Sequence, residues 1–205
     1  MSNAWDKTNS FPSPLPARGG HAGGAPEPTA APEAVTRVLK RVRQTRDFLA
    51  DPVPEAALTD ILDVARWTGS GGNRQPWTFI VVTDAETKRR MAEIATNTPH
   101  IGIAPVVICV ATEPHGNVES ENYDEGRLTE RIMIAATAHG LGCGIGRARR
   151  EAQAAIGGLL GVPEDRVLRS MVSVGYPTEP GKAPKSPRGQ ARRPLAEVVR
   201  RERFS

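Results

Sequence analysis

The sequence predicts an α+β domain with a mixed sheet. Three short runs rich in β-branched residues read as buried strands: Phe79-Ile80-Val81-Val82, residues 105–111 and residues 167–174. Around them, longer stretches carry apolar residues at helical spacing, and no internal repeat divides the chain. Helices gathered around a few strands, without strict alternation, point to α+β.

Residues 1–32 hold six prolines and four glycines and show almost no apolar periodicity. Such a segment buries too little surface to offset its ordering entropy, so it reads as a disordered tail ahead of one folded domain, residues 33–205. Val35, Leu39 and Val42 recur at helical spacing with Arg and Lys on the other face. After a turn at Asp51-Pro52, Pro54 suits the first position of a helix whose stripe is Leu58, Ile61, Leu62 and Ala65. Gly69, Gly71 and Gly72 end that helix in a close-approach loop. Asp84 is placed to cap a helix carrying Met91 and Ile94. Pro105 begins the second strand where no ladder donor is lost. Residues 113–124 read as a polar loop, followed by the longest helix, with Leu128, Ile132, Ala135, Ala136 and His139 on one side and a stop at Gly140. His139 therefore reads as a core histidine. Ala152, Ile156, Leu159 and Leu160 form a further helix, closed by Gly161 and Pro163, and Gly175-Tyr176-Pro177 ends the last strand.

With 205 residues, 39% hydrophobic and 24% charged, the composition is that of a globular domain. No apolar run approaches the ~20 residues of a membrane span, and the N-terminus lacks a signal-peptide stretch, so the expected location is the cytoplasm. Cys109 and Cys143 have no metal-ligand spacing and read as two reduced thiols. The net charge of +4 is unevenly placed: residues 33–181 carry 17 basic and 19 acidic side chains, whereas residues 182–205 carry eight and two. A solvated tail and a phosphate-binding segment are both open readings of that end. No aromatic residue interleaves it before Phe204, which argues against nucleic-acid binding.

Three clusters carry candidate chemistry. Ser70-Gly71-Gly72-Asn73-Arg74-Gln75-Pro76-Trp77 lies between a helix and a strand, where glycines let the backbone approach a flat ligand and the Asn73 amide offers donors and an acceptor to a heteroaromatic edge. A helix cap followed by an edge proline accounts for the same residues. Arg43-Gln44-Thr45-Arg46 puts two arginines three residues apart at a helix end, able to grip one phosphate or simply to be solvated. Arg192-Arg193-Pro194-Leu195, in the basic end, has the same two readings.

Taken together, Arg43-Gln44-Thr45-Arg46-x-Phe48, Val53-Pro54, Ile61-Leu62-x-x-Ala65-Arg66, the 70–77 loop with the strand after it, His139-Gly140-Leu141-Gly142, Gly175-Tyr176-Pro177 and Arg192-Arg193-Pro194-Leu195 resemble the FMN-dependent nitroreductase family in order and spacing. The resemblance covers roughly residues 35–204. It departs at Gln44, where a serine is common, and at Thr68-Gly69, where the family often has Ala-Pro. It implies a three-layer fold with a mixed central sheet flanked by helices, and a homodimer with two FMN sites at the interface, each built from both subunits. It further implies that Arg43, Gln44 and Arg46 hold the FMN phosphate and ribityl chain. Asn73 would reach the isoalloxazine ring with Gln75 close by, and Gly144, Ile145 and Gly146 would present backbone N–H groups near N5. Arg192 or Arg193 would approach the phosphate from the far end of the chain. The implied activity is ping-pong reduction of nitroaromatic, quinone or similar acceptors by NADH or NADPH. Related flavin chemistry (flavin fragmentation, reductive dehalogenation, azoline oxidation) and non-enzymatic flavin binding share the same residues. No protein acid or nucleophile is required. Tyr123 and His115 would line a substrate pocket, and residues 97–101 and 113–124 would set the acceptor.

Overall fold

A computed structural model of the chain describes residues 31–183 and 192–204. All but the last two residues of the expected tail lie outside that range, and Pro32 already opens the first helix. The helices are α1 (Pro32–Arg41), α2 (Glu55–Arg66), α3 (Ala85–Ile94), α4 (Val118–Ala138), α5 (Arg150–Leu159), α6 (Glu179–Lys182) and α7 (Leu195–Val198). The strands are β1 (Trp77–Val82), β2 (Val106–Thr112), β3 (Gly142–Arg147) and β4 (Val167–Gly175), in the order β1-β2-β4-β3. The α+β expectation holds. Its mixed pairing is reduced to one isolated parallel bridge, Gln44 with Cys143, while the four strands pair antiparallel throughout.

Both faces of the sheet are covered, which explains why β2 is apolar almost throughout and why the apolar residues of β4 lie on both faces. On one face Val106, Ile108, Val110, Val172 and Val174 meet Leu58, Ile61 and Ala65 of α2 and Leu128 and Ile132 of α4. On the other, Val107, Cys109, Leu168 and Met171 meet Met91 of α3, Ile101 and Ile156 of α5. The alternation of odd and even residues along β2 thus separates two cores. Each fully buried side chain of the size of Ile61 or Ile132 contributes about 1.5–3 kcal/mol. As the sequence suggests, Asp84 caps α3 and accepts from the Thr87 N–H at 2.8 Å; Pro54 is the N-cap of α2, one residue ahead of the first helical position expected for it.

Four expectations are corrected. β1 is an edge strand and half-exposed, because it pairs with β2 alone. The irregular stretch after β2 ends at Asn117, whose side chain accepts from the Ser120 N–H at 3.0 Å and starts α4 at Val118. His139 is the exposed C-cap of α4 and meets Asp60 at 2.7 Å, because the helix ends there and its ring passes out of the apolar stripe. Finally, β3 is a strand that β-propensity conceals. Its glycines at 142, 144 and 146 alternate, and the face they leave bare is occupied by Thr45, His100, Thr98 and Ile101.

Candidate functional site

The bare face and open edge of β3 determine where the segment after α1 runs. The chain leaves the helix at Arg41 and lies extended along that edge, with the Thr45 N–H donating to the Cys143 carbonyl at 2.6 Å. A second bridge joins Phe48 to Pro177. Arg43 therefore lies just past the C-cap of α1 and Arg46 further along β3, so the two do not share a helical face as their spacing suggests; the backbone groups of β3 outcompete another helical turn. Gln44 completes the seam: its Oε1 accepts from the Ile145 N–H at 2.8 Å and its Nε2 lies 3.6 Å from Met133 Sδ. Thr45 is buried while Arg43, Gln44 and Arg46 remain exposed.

These residues line a cleft of about 590 Å³ together with Leu39, Val42, Glu130, Met133, Ala183 and Arg192. Two clusters at opposite ends of the sequence thus meet, and of the C-terminal arginines it is Arg192 that joins. Arg193 turns instead to Glu197, donating to its carbonyl at 3.1 Å. Arg43 donates through Nη1 to the carbonyls of Lys40 and Val42, closing the C-terminus of α1. Beside this cleft, His100 is buried with its Nε2 lacking a hydrogen-bond partner among the described residues. Burial, assisted by the nearby Arg46 charge, holds His100 below the ordinary histidine value, so the ring is neutral near pH 7.

Asn73 and Gln75 do not line that cleft. They sit in a tight loop that begins with a 3-10 turn at Gly71–Asn73. Gly72, Asn73 and Gln75 have φ of 60°, 54° and 48°, so two non-glycine residues occupy the left-handed region, at about 1–2 kcal/mol each. The loop holds itself by Asn73 N–H to the Ser70 carbonyl at 2.9 Å and Gln75 N–H to Ser70 Oγ at 2.8 Å. It is joined to α4 through the Gly71 N–H, which donates to Asp124 Oδ2 at 2.9 Å.

The three N–H groups expected near a flavin are all engaged. Those of Gly144 and Gly146 face β4, and that of Ile145 is held by Gln44. Tyr123 is exposed and stacks under Arg127, and His115 uses its backbone N–H to reach Glu121. Of the two stretches expected to be variable loops, residues 97–101 run mostly into a buried 3-10 turn, Pro99–Gly102. Cys109 and Cys143 are buried free thiols, and burial pushes Cys109 up to about 12 and Cys143 higher still, so neither serves as a nucleophile.

Sequence reasoning missed an ionic group inside the first turns of α4. Glu121, Asp124 and Glu125 face inward at helical spacing. Arg169 of β4 donates to Glu121 at 2.7 Å and comes within 3.7 Å of Glu125. Burial raises Glu125, against the pull of Ser170, Arg169 and Arg147, and neither of its oxygens has a hydrogen bond among the described residues. Burial also pushes Glu121 upward, but the His115 N–H and Arg169 outweigh it and leave Glu121 below the usual carboxylate value. The i, i+3, i+4 spacing of these acids was a readable signal, since a loop has no reason to keep it. Among the described residues no helix is long and apolar enough to cross a membrane, and no cluster of metal-ligating side chains occurs.

Fold and site together define a three-layer α+β protein with a cationic cleft and a strained, amide-bearing loop. A family model described as the nitroreductase family matches residues 39–105. A protein of Archaeoglobus fulgidus described as an NADH dehydrogenase/NAD(P)H nitroreductase is 32% identical over 155 residues, covering 72% of this chain and 87% of its own length. The NADH dehydrogenase of Thermus thermophilus is 30% identical over 189 residues, covering 73% and 89%. Among solved structures, an FMN-dependent nitroreductase of Clostridium difficile superposes with a TM-score of 0.65 at 26% identity, covering 69% of this chain and 87% of that one. The chain belongs to the nitroreductase family.

Proposed function

We propose that this chain is an FMN-dependent NAD(P)H oxidoreductase that reduces nitroaromatics, quinones or similar electron-poor acceptors as a homodimer. The observation that carries this reading is the cleft where Arg43, Gln44 and Arg46 meet Arg192 from the other end of the chain. The donor set suits the cofactor: guanidinium forks match a phosphate dianion, and the Asn73 amide matches the edge of a heterocycle. The two parts are joined by α4, with Asp124 beside the loop and Met133 beside Gln44. Nine residues of helix, a rise of about 13 Å at 1.5 Å per residue, separate these two contact points on α4. When bound, FMN supplies the hydride chemistry, taking a hydride from NADH or NADPH and passing electrons to the acceptor in alternating half-reactions.

The protein's part is to bind and orient. Arg43, Arg46 and Arg192 neutralise the phosphate, and Asn73 fixes the ring edge with Gln75 beside it. Gln44 holds the clamp against β3 rather than contacting phosphate alone. Because it occupies the Ile145 N–H, the backbone donor for the ring passes to Arg147, whose N–H faces the same open edge two residues further on. Apolar residues exposed among the described residues support the dimer. Val35 and Leu39 of α1, Leu195 and Val198 of α7, and Phe204 are all exposed apolar side chains at the two chain ends.

The test is a spectrum of the purified protein after addition of FMN. A bound flavin spectrum that bleaches anaerobically with NADH or NADPH and recovers with an electron-poor acceptor is expected. A protein that takes up no FMN overturns the proposal, and bound FMN that neither donor bleaches leaves a binding protein, not a reductase. Arg43→Ala and Arg192→Ala should each weaken FMN binding several-fold or more, as the loss of a charge-assisted contact requires.

A further inference from the structure

We propose that Asp124 is a positioning residue that holds the 70–75 loop in its ligand-ready shape from the neighbouring helix. The role rests on the reading that this loop carries the flavin. The other hydrogen bonds of the loop are local, made by Ser70 and Gly71 to residues three to five positions away. Among the described residues, the bond from the Gly71 N–H to Asp124 Oδ2 at 2.9 Å is the one from residues 70–75 that reaches another element, 53 residues on. A self-bonded turn keeps its shape but not its place, whereas a bond to a packed helix gives it a fixed origin. Asp124 suits that task because its side chain is only 8% exposed. A carboxylate accepting from an amide in such surroundings makes a stronger bond than a neutral pair.

The geometry also explains why the anchor lies at Gly71. A Cβ there would fall 3.1 Å from Arg74 Nη1 and in ordinary contact with Ser120 Oγ and Asp124 Oδ2, so Gly71 lies directly against the anchoring carboxylate. Arg127, 3.6 Å from Asp124 Oδ1, balances the charge and lies over Gly69, where a Cβ would meet its Nη2 at 3.0 Å. The three left-handed residues Gly72, Asn73 and Gln75 follow directly. A loop that stores strain persists only where its surroundings over-determine it. The flanks are held where the Glu113 N–H donates to the Pro76 carbonyl and Arg131 to the Trp67 carbonyl; the Asp124 bond holds the turn itself, and Asn73 is the side chain whose position depends on it.

The experiment uses the full-length protein, with Asp124→Ala and Asp124→Asn as the variants. Asn keeps an oxygen acceptor and drops the charge, so it separates the hydrogen bond from the ion pair with Arg127. Backbone amide exchange of residues 71–75 is measured without FMN, and FMN affinity by quenching of flavin fluorescence. Asp124→Ala is expected to speed exchange across residues 71–75 while α2 and β2 stay protected, and to weaken FMN binding about 10- to 100-fold. Asp124→Asn should recover most of both. Unchanged exchange in Asp124→Ala, or faster exchange with unchanged FMN affinity, overturns the role. So does an Asn variant as impaired as Ala, since the charge and not the loop bond would then be at work. Wild-type protein that binds no FMN overturns the functional reading and this role with it, and the wild-type control alone identifies that case.

Discussion

Replacing Gly144 by alanine tests the seam between β3 and the arginine segment. A Cβ at this position would collide with the Thr45 carbonyl oxygen and stand 2.9 Å from Ser173 Oγ and 3.0 Å from His100 Cδ2. The Thr45 oxygen belongs to backbone, so no side-chain rotation relieves the clash. Residues 43–46 must back away by about 1 Å to restore ordinary contact distances. That movement breaks or stretches the bonds from Thr45 N–H to Cys143 and from Ile145 N–H to Gln44. Two hydrogen bonds at about 1 kcal/mol each, plus about 1–3 kcal/mol of overpacking, give a loss of roughly 3–5 kcal/mol. Chemical denaturation of the FMN-free protein measures it, with Gly158→Ala as control. A Cβ at Gly158 meets nothing within 4 Å in α5, so that variant should gain up to about 1 kcal/mol. Because Arg43 and Arg46 travel with the segment, FMN affinity of Gly144→Ala should fall at least tenfold. A stability loss below about 0.5 kcal/mol with FMN affinity retained would refute the view that β3 is bare so that this segment can approach.

Glu125 and the 70–75 loop give two further tests. Burial raises Glu125 in the folded protein, so the folded state binds the extra proton and stability falls as pH rises from the unfolded value of 4.5 through the folded one. Glu125→Gln should therefore be more stable than wild type at pH 8 by denaturant titration, with the advantage shrinking toward pH 4.5; a variant less stable at pH 8 would mean that Arg169 outweighs burial. Gln75→Gly removes the left-handed cost of a side chain at φ 48° and should raise the stability of the FMN-free protein by up to about 1 kcal/mol. A destabilised Gln75→Gly variant would show that the side chain, and not the backbone, holds that turn.

Much of the fold can be read in the sequence because its elements follow strong local rules. α2 through α5 have apolar stripes and readable ends at Asp84, Gly140 and Gly161, and the apolar run of β2 follows from a sheet covered on both sides. The misreadings share one cause: a long-range partner overrides local preference. Gly142, Gly144 and Gly146 look like loop until Thr45 and His100 are seen to fill the space they leave. Glu121 and Asp124 look solvated until Arg169 and the Gly71 N–H are placed against them. Arg43 and Arg46 look helical until the edge of β3 captures Thr45. At the site, the convergence of Arg43 and Arg46 with Arg192 has no local signature at all, because some 150 residues separate the two clusters and only the packing of the chain brings them to one cleft.

The strand order has a consequence for how the chain can be made. β4 is the last strand synthesised, yet it lies between β2 and β3. Until residues 167–175 are available, Val106–Thr112, an uncharged strand buried along its whole length in the finished protein, has one edge with no partner. An unpaired apolar edge accepts strands from other chains. Translation that stalls or stops ahead of Val167 should therefore release fragments that aggregate rather than smaller folded units. Supplying a peptide with the sequence of β4 should keep such fragments in solution.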